Sequence, residues 1–255
     1  MRIETLIYAG TLALINFPVV AIVDAYARSR PVHKVYALEP EDGQRQREQR
    51  NSLVTTPIHA LLFLGIIESG WIARGPETLL LVLATFLFTF AWTEIWHYAS
   101  HLAMHHRWLH AIHREHHKSR LTTAWTSVSF SLGEKFIFSA GILGFIALAS
   151  RLHPLSEFGI FVYYILYFVT NTLGHANFEI REPEYRKSFM GRIFNSPAYH
   201  AMHHARYIRN YGLLTPWLDQ LFDTCWEDES EVQTRAARSQ PLTRLGQRLP
   251  KKNEH

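Results

Sequence analysis

Three short runs of histidine stand out in the chain. Residues 97–101 read His-Tyr-Ala-Ser-His, residues 113–117 read His-Arg-Glu-His-His, and residues 200–204 read His-Ala-Met-His-His. Residues three and four apart share one face of an α-helix. His97 with His101, His113 with His116 and His117, and His200 with His203 and His204 can therefore each converge on one point. Imidazole is a good ligand for zinc, copper, iron and nickel. A single zinc takes four protein ligands, or three and a water. Eight histidines exceed that number and suit two metals with positions left open for O2. His175 closes an apolar run in Asn171-Thr172-Leu173-Gly174-His175. It is expected at the same depth as His97, as a ninth ligand. Glu94, three residues before His97, is expected to accept a hydrogen bond from a ligand imidazole. Asn177 and Asn210 are assigned a similar supporting place. His105 and His106 are expected to face solvent or to stand behind the ligands, and His110 to stay outside the site.

The elements that position these runs are apolar. The spans expected to lie in a membrane are Leu6–Val23, Leu53–Ile72, Thr78–Tyr98, Phe136–Ala149 and Phe158–Leu173. About 20 apolar residues cross a bilayer, so the fourth is short enough to be re-entrant. The fold class implied is all-α: a multi-pass helical membrane bundle of four to five spans, with a helical cap holding a di-metal site. One membrane-embedded catalytic domain is expected over residues 1–226, with its histidine core at about 85–225. Residues 227–255 read as a polar, flexible tail. The aromatic residues of the fifth span are read first as packing and interface anchors. With the N-terminus outside, the outer loops receive Arg2, Arg74 and Arg151, and nearly every other Lys and Arg falls inside. That satisfies the positive-inside rule and places the histidine runs on the cytoplasmic face. A cleaved signal peptide ending near Ala25-Tyr26-Ala27 is the alternative for the first span, and it would invert the rest.

Composition excludes several classes. Lys and Arg total 26 against 22 Asp and Glu, for a net charge of +4. That excess is too mild to indicate nucleic-acid binding. Cys225 is the single cysteine, which rules out an intrachain disulfide and a thiolate zinc site. It is read as structural. Lys251 and Lys252 are off by one from an ER retrieval signal.

The three histidine runs, in this order, resemble the fatty acid hydroxylase/sterol desaturase superfamily. The resemblance covers roughly residues 85–225. It extends to Ser196-Pro197-Ala198-Tyr199-His200, to Asn210-Tyr211-Gly212, and to Asp219 and Phe222-Asp223-Thr224. Two positions depart from the family pattern: Tyr98 stands where many members have Arg, and Asp223 where Gly is frequent. The resemblance implies two non-haem irons held by His97, His101, His113, His116, His117, His200, His203 and His204, with His175 added. It implies O2 as co-substrate and hydroxylation or desaturation of a fatty acyl, sphingolipid, sterol or related lipid. The chain carries no haem, flavin or ferredoxin motif, so electrons are expected from a separate cytochrome b5-like or ferredoxin-like donor with its reductase. Arg206 and Arg209 are candidates for docking it. The competing expectations are a membrane zinc hydrolase of a lipid amide or ester, which leaves most histidines without a task, and a membrane metal carrier. A carrier would place ligands along a path through the spans.

Overall fold

The computed structural model describes residues 2–30 and 32–250, so the Lys251-Lys252 pair lies outside the described residues. The regular structure is helical, with isolated bridges and no sheet among the described residues. Four segments are long and apolar enough to cross a membrane: Ile3–Ser29, Gln44–Glu68, Leu79–Met104 and Leu132–Ser150. Most of their apolar surface faces outward, as with Leu79, Leu80 and Leu87. An outward apolar surface of this extent is stable against lipid.

The first segment is two helices, α1 (Ile3–Leu14) and α2 (Asn16–Ser29). The break has a cause in Pro18, which has no N–H for the carbonyl of Leu14 and whose ring crowds it. Helix α3 (Gln44–Glu68) carries Pro57 inside it. Helix α4 (Leu79–Met104) starts at Thr78, whose hydroxyl accepts from the Leu81 amide. Helix α6 (Leu132–Ser150) starts at Ser131 and α7 (Glu157–Gly174) at Ser156, each capped in the same way. Helix α7 is the expected fifth span. It has 18 residues and is not among the segments apolar enough to cross on composition. Its tyrosines and Asn171 lower its hydropathy, and it packs inside the bundle against α4. Apolar side chains of α1, α3, α6 and α7, among them Leu12, Phe63, Leu143 and Ile160, form the bundle core.

The two ends of the bundle differ. At one end Arg2 and Arg74 both reach the buried carboxylate of Glu157, and Arg151 donates to the Gly70 carbonyl. The three basic residues assigned to the outer loops thus meet at one end, opposite the histidines. At the other end sits the cap. It comprises α5 (His110–His117), a 3₁₀ turn at Ala124–Val128, α8 (Phe189–Ile193), α9 (Pro197–Arg206), α10 (Trp217–Leu221) and α11 (Glu229–Ala237). Helix α3 reaches into it through Glu48, which is buried. Glu48 accepts from Ser119 Oγ at 2.6 Å, Thr123 Oγ1 at 2.6 Å and Thr126 Oγ1 at 2.7 Å.

Over its described residues, 227–250, the expected flexible tail is ordered instead. Helix α11 packs on α9, with Val232, Ala236 and Leu242 buried in the cap core beside Met202 and Ala205. Arg206 donates to both carboxylate oxygens of Asp228 at 2.6 and 2.7 Å. The buried apolar positions are spread thinly among charges that are themselves paired, and for that reason the segment reads as polar.

Candidate metal centre

Helix α4 delivers the first imidazoles. It continues through Met104, so His97, His101 and His105 recur every four residues on one face. Helix α5 presents His113, His116 and His117, and α9 presents His200, His203 and His204. His175 caps the C-terminus of α7. These segments assemble two groups. One comprises His101, His105, His113, His117 and His203; the other comprises His116, His175, His200 and His204. Within each group one nitrogen of every ring lies within 4.8 Å of the others.

The structure therefore brings together eight of the nine histidines picked out by the sequence. His97 falls outside both groups. Its ring stacks on Phe138, and the Tyr167 hydroxyl lies 3.3 Å from its Nδ1. His105, expected to face solvent, joins the first group instead. Helix α4 is one turn longer than the pattern 97–101 implies, so the ring of His105 stands 5.1 Å from that of His101. His110 lies outside the groups and hydrogen-bonds the Tyr207 hydroxyl. His106 is exposed.

The hydrogen bonds of the rings are arranged for ligation. His101 Nδ1 lies 2.7 Å from the Tyr211 carbonyl, and His203 Nδ1 lies 2.7 Å from that of Arg209. His116 and His204 pair with the carbonyls of Ser129 and Ser119, both at 3.0 Å. His175 pairs with the Asn171 carbonyl at 2.8 Å. A carbonyl can only accept, so each Nδ1 carries the proton and each Nε2 offers a lone pair. His113 Nδ1 donates to Glu134 Oε1 at 2.6 Å. The Nε2 atoms of His101, His105, His113, His175 and His204 are buried without any hydrogen-bond partner. A buried unpaired nitrogen is costly. His203 Nε2 and His117 Nε2 face each other at 3.1 Å. Bound cations would satisfy the unpaired nitrogens, so the donor set fits a pair of metal ions. Burial, aided by neighbouring imidazoles, lowers His113, His117, His200, His203 and His204 well below the ordinary imidazole range. Burial likewise brings His116 down to about 4. The rings stay neutral, the form that binds metal.

The supporting residues differ from expectation. Glu94 touches no imidazole. Its Oε2 accepts from the Thr215 amide at 2.8 Å and hydroxyl at 2.7 Å, fixing the loop whose Tyr211 carbonyl orients His101. Asn177 is bound to the backbone of Tyr36 on both sides of its amide. Asn210 bridges Tyr199 O and Trp226 N. All three hold loops rather than ligands: the two asparagine amides bind backbone, and Glu94 Oε2 binds Thr215. Glu134, the carboxylate that does hold a ligand, lies 21 residues beyond His113. Its only sequence mark is an acid in the first turn of an apolar helix. Arg206 is withdrawn from the surface by Asp228, so it is not a docking residue. Cys225 is inert: burial pushes its thiol up to about 11. At the two departures from the family pattern, Tyr98 stacks on Phe222 and hydrogen-bonds Thr224. Asp223 has φ +52°, a conformation that glycine favours and aspartate tolerates.

A cavity opens from the histidines into the bundle. His97, His101, His113, His116, His175 and His200 form its cap end. Leu12, Val128, Phe130, Phe138, Ile142 and Phe168 give it apolar walls. From the aromatic run of α7, Tyr164, Tyr167 and Phe168 line this space, while Phe158, Phe161 and Tyr163 do not.

No solved structure matches the chain significantly. Among curated proteins, the very-long-chain aldehyde decarbonylase GL1-6 of Oryza sativa is 26% identical over 222 residues, 84% of this chain and 34% of its own length. The decarbonylase GL1-4 of the same species is 30% identical over 124 residues, 47% of this chain and 20% of its own. The decarbonylase CER1 of Arabidopsis thaliana is 31% identical over 121 residues, 46% and 19% respectively. The chain thus spans between about a fifth and a third of these relatives. The fatty acid hydroxylase profile matches residues 86–224, from within α4 to just past α10. With that match over more than half its length, this chain is a member of the fatty acid hydroxylase family.

Proposed function

We propose that the protein is an O2-dependent di-iron enzyme that hydroxylates, or alternatively desaturates, a long-chain lipid. One observation carries the reading: two groups of buried, neutral imidazoles adjoin the end of an apolar cavity set among helices long enough to cross a membrane. Iron bound by these histidines would supply the O2 activation needed to break an unreactive C–H bond, a step beyond ordinary acid–base side chains. The chain's own task is positional. The walls of Phe130, Phe138, Ile142 and Phe168 hold a hydrocarbon chain and exclude water. Glu134 and the backbone carbonyls fix the rings. A single zinc acting hydrolytically would leave at least five of the nine imidazoles unused.

The cap is proposed to face the cytoplasm. Supporting this, Arg2, Arg74 and Arg151 sit at the opposite end, and most other basic residues lie in the cap. A separate cytochrome b5-like or ferredoxin-like protein with its reductase is proposed to deliver the electrons there.

The test is lipid mass spectrometry of cells with and without the gene, together with metal analysis of the purified protein. Gain of one oxygen marks hydroxylation, and loss of two hydrogens marks desaturation. Unchanged lipids with one zinc per chain would refute the proposal. The names of the relatives favour a second reading, a long-chain aldehyde as substrate. An alkane one carbon shorter than the supplied aldehyde would establish it.

A further inference from the structure

The cavity carries a second set of polar atoms, away from the imidazole groups. His59 on α3, Ser139 on α6 and Tyr164 on α7 meet inside the bundle. His59 Nδ1 lies 2.8 Å from Ser139 Oγ, and the His59 and Tyr164 rings pack edge to face at 4.4 Å. Thr56 lies three residues before His59 on the same helix. All four residues line the cavity. Thr56 and Tyr164 are each only 3% exposed. Thr56 Oγ1, His59 Nε2 and Tyr164 OH are buried with no hydrogen-bond partner. Three unpaired polar atoms on residues lining one cavity inside an apolar bundle are expensive without a ligand.

We infer that Thr56, His59 and Tyr164 form a subsite for the polar oxygen of the lipid, and that this oxygen is neutral: a terminal hydroxyl or carbonyl. The three groups are hydroxyls and an imidazole, able to hydrogen-bond one oxygen without bringing charge; His59 Nε2 donates when its Nδ1 accepts from Ser139 Oγ. Lys135, the cation on the cavity wall, sits over the Phe130 ring one turn nearer the cap, so a carboxylate or phosphate would find its counter-charge there instead. Ser139, which holds His59, lies five residues beyond Glu134, about 7.5 Å along the helix axis. A lipid seated by its oxygen at Tyr164 therefore presents a methylene some bonds away, not the oxygen-bearing carbon, to the histidines.

This inference rests on the lipid-oxidising reading and narrows its substrate. Its test is binding without O2 or reductant, so that failed binding and failed turnover are distinguishable. The full chain in detergent is titrated with tritiated 1-hexadecanol, hexadecane and hexadecanoate. The alcohol is expected to bind at least about tenfold more tightly than the hydrocarbon, the scale of one or two net hydrogen bonds. Tyr164→Phe and Thr56→Val each remove one oxygen with little change of shape. Each is expected to weaken the alcohol about fivefold to tenfold and to leave the hydrocarbon unchanged. Tyr163→Phe, a buried hydroxyl on the same helix outside the cavity, should change neither. Equal binding of alcohol and hydrocarbon would overturn the inference. So would tightest binding of the carboxylate, or a Tyr163→Phe effect equal to that of Tyr164→Phe.

Discussion

His116, His175, His200 and His204 form a sealed group, every ring of which is buried. The other group, of His101, His105, His113, His117 and His203, has one ring more and one margin open, because His105 is partly exposed beside Tyr207. The sealed group draws on α5, α9 and the end of α7, and the open one on α4, α5 and α9. Four buried nitrogens make a minimal set with none to spare. Five nitrogens with an exposed member leave one that can be lost or exchanged. The two halves of the centre therefore differ in how much damage each can absorb.

The strongest way to break this comparison is to remove a ring from each half. His116→Ala in the sealed group and His203→Ala in the open one are both expected to reduce product, measured by lipid mass spectrometry, to background. Product at the wild-type level in either variant would remove that histidine from the centre. Next in size is the shared support. Arg206 closes α9, from which both groups draw, and its partner Asp228 is buried with it. Asp228→Ala strands a buried guanidinium and is expected to cost about 3–5 kcal/mol in denaturant unfolding. Burial alone would raise the Asp228 carboxyl. The Arg206 hydrogen bonds and the Leu249 amide outweigh it and hold the group below its usual range. Its stabilisation is thus present above the ordinary carboxylate pKa and is lost as pH falls through the lowered value. A variant whose acid sensitivity matches the wild type would show that this pair does not hold the cap.

Glu134→Ala frees the His113 ring and is expected to lower metal affinity or turnover about 10- to 100-fold. Metal titration by mass spectrometry checks this, and an unchanged affinity would reduce Glu134 to packing. The smallest effect is assigned to His105→Ala. The remaining four rings of the open group should retain the metal content, with turnover falling less than about tenfold. Loss of one metal per chain from this variant would make the two halves equally intolerant.

Much of the centre is legible in the sequence, since helical spacing alone pairs His113, His116 and His117 and, separately, His200, His203 and His204. At α4 the grouped rings are His101 and His105, one turn on from the expected His97 and His101. The spacing 97–101 and the spacing 101–105 are equally good, and only the length of the helix past Ser100 selects between them. Glu134 is hidden because its contact with His113 is made across the fold. Glu94, Asn177 and Asn210 have the right chemistry, yet their hydrogen bonds run to Thr215 and to loop backbone instead of to a ligand ring. Four spans are readable from hydropathy, whereas α7 combines apolar and tyrosine-rich character because it is enclosed by its neighbours. The tail misleads because its core contacts, Val232, Ala236 and Leu242, are too sparse to show a period.

The opposed Nε2 atoms of His117 and His203 have one more consequence. His203, whose Nδ1 is pinned to the Arg209 carbonyl, accepts at Nε2 from His117 Nε2 when His117 carries its proton there, which leaves His117 Nδ1 buried without a partner. A cation held by both Nε2 atoms would replace that proton and require His117 to shift it to Nδ1. Assembly of the cap and capture of its first ion become a single coupled equilibrium. Chelation should thus loosen α5 and α9 together, long before the lipid-facing helices respond.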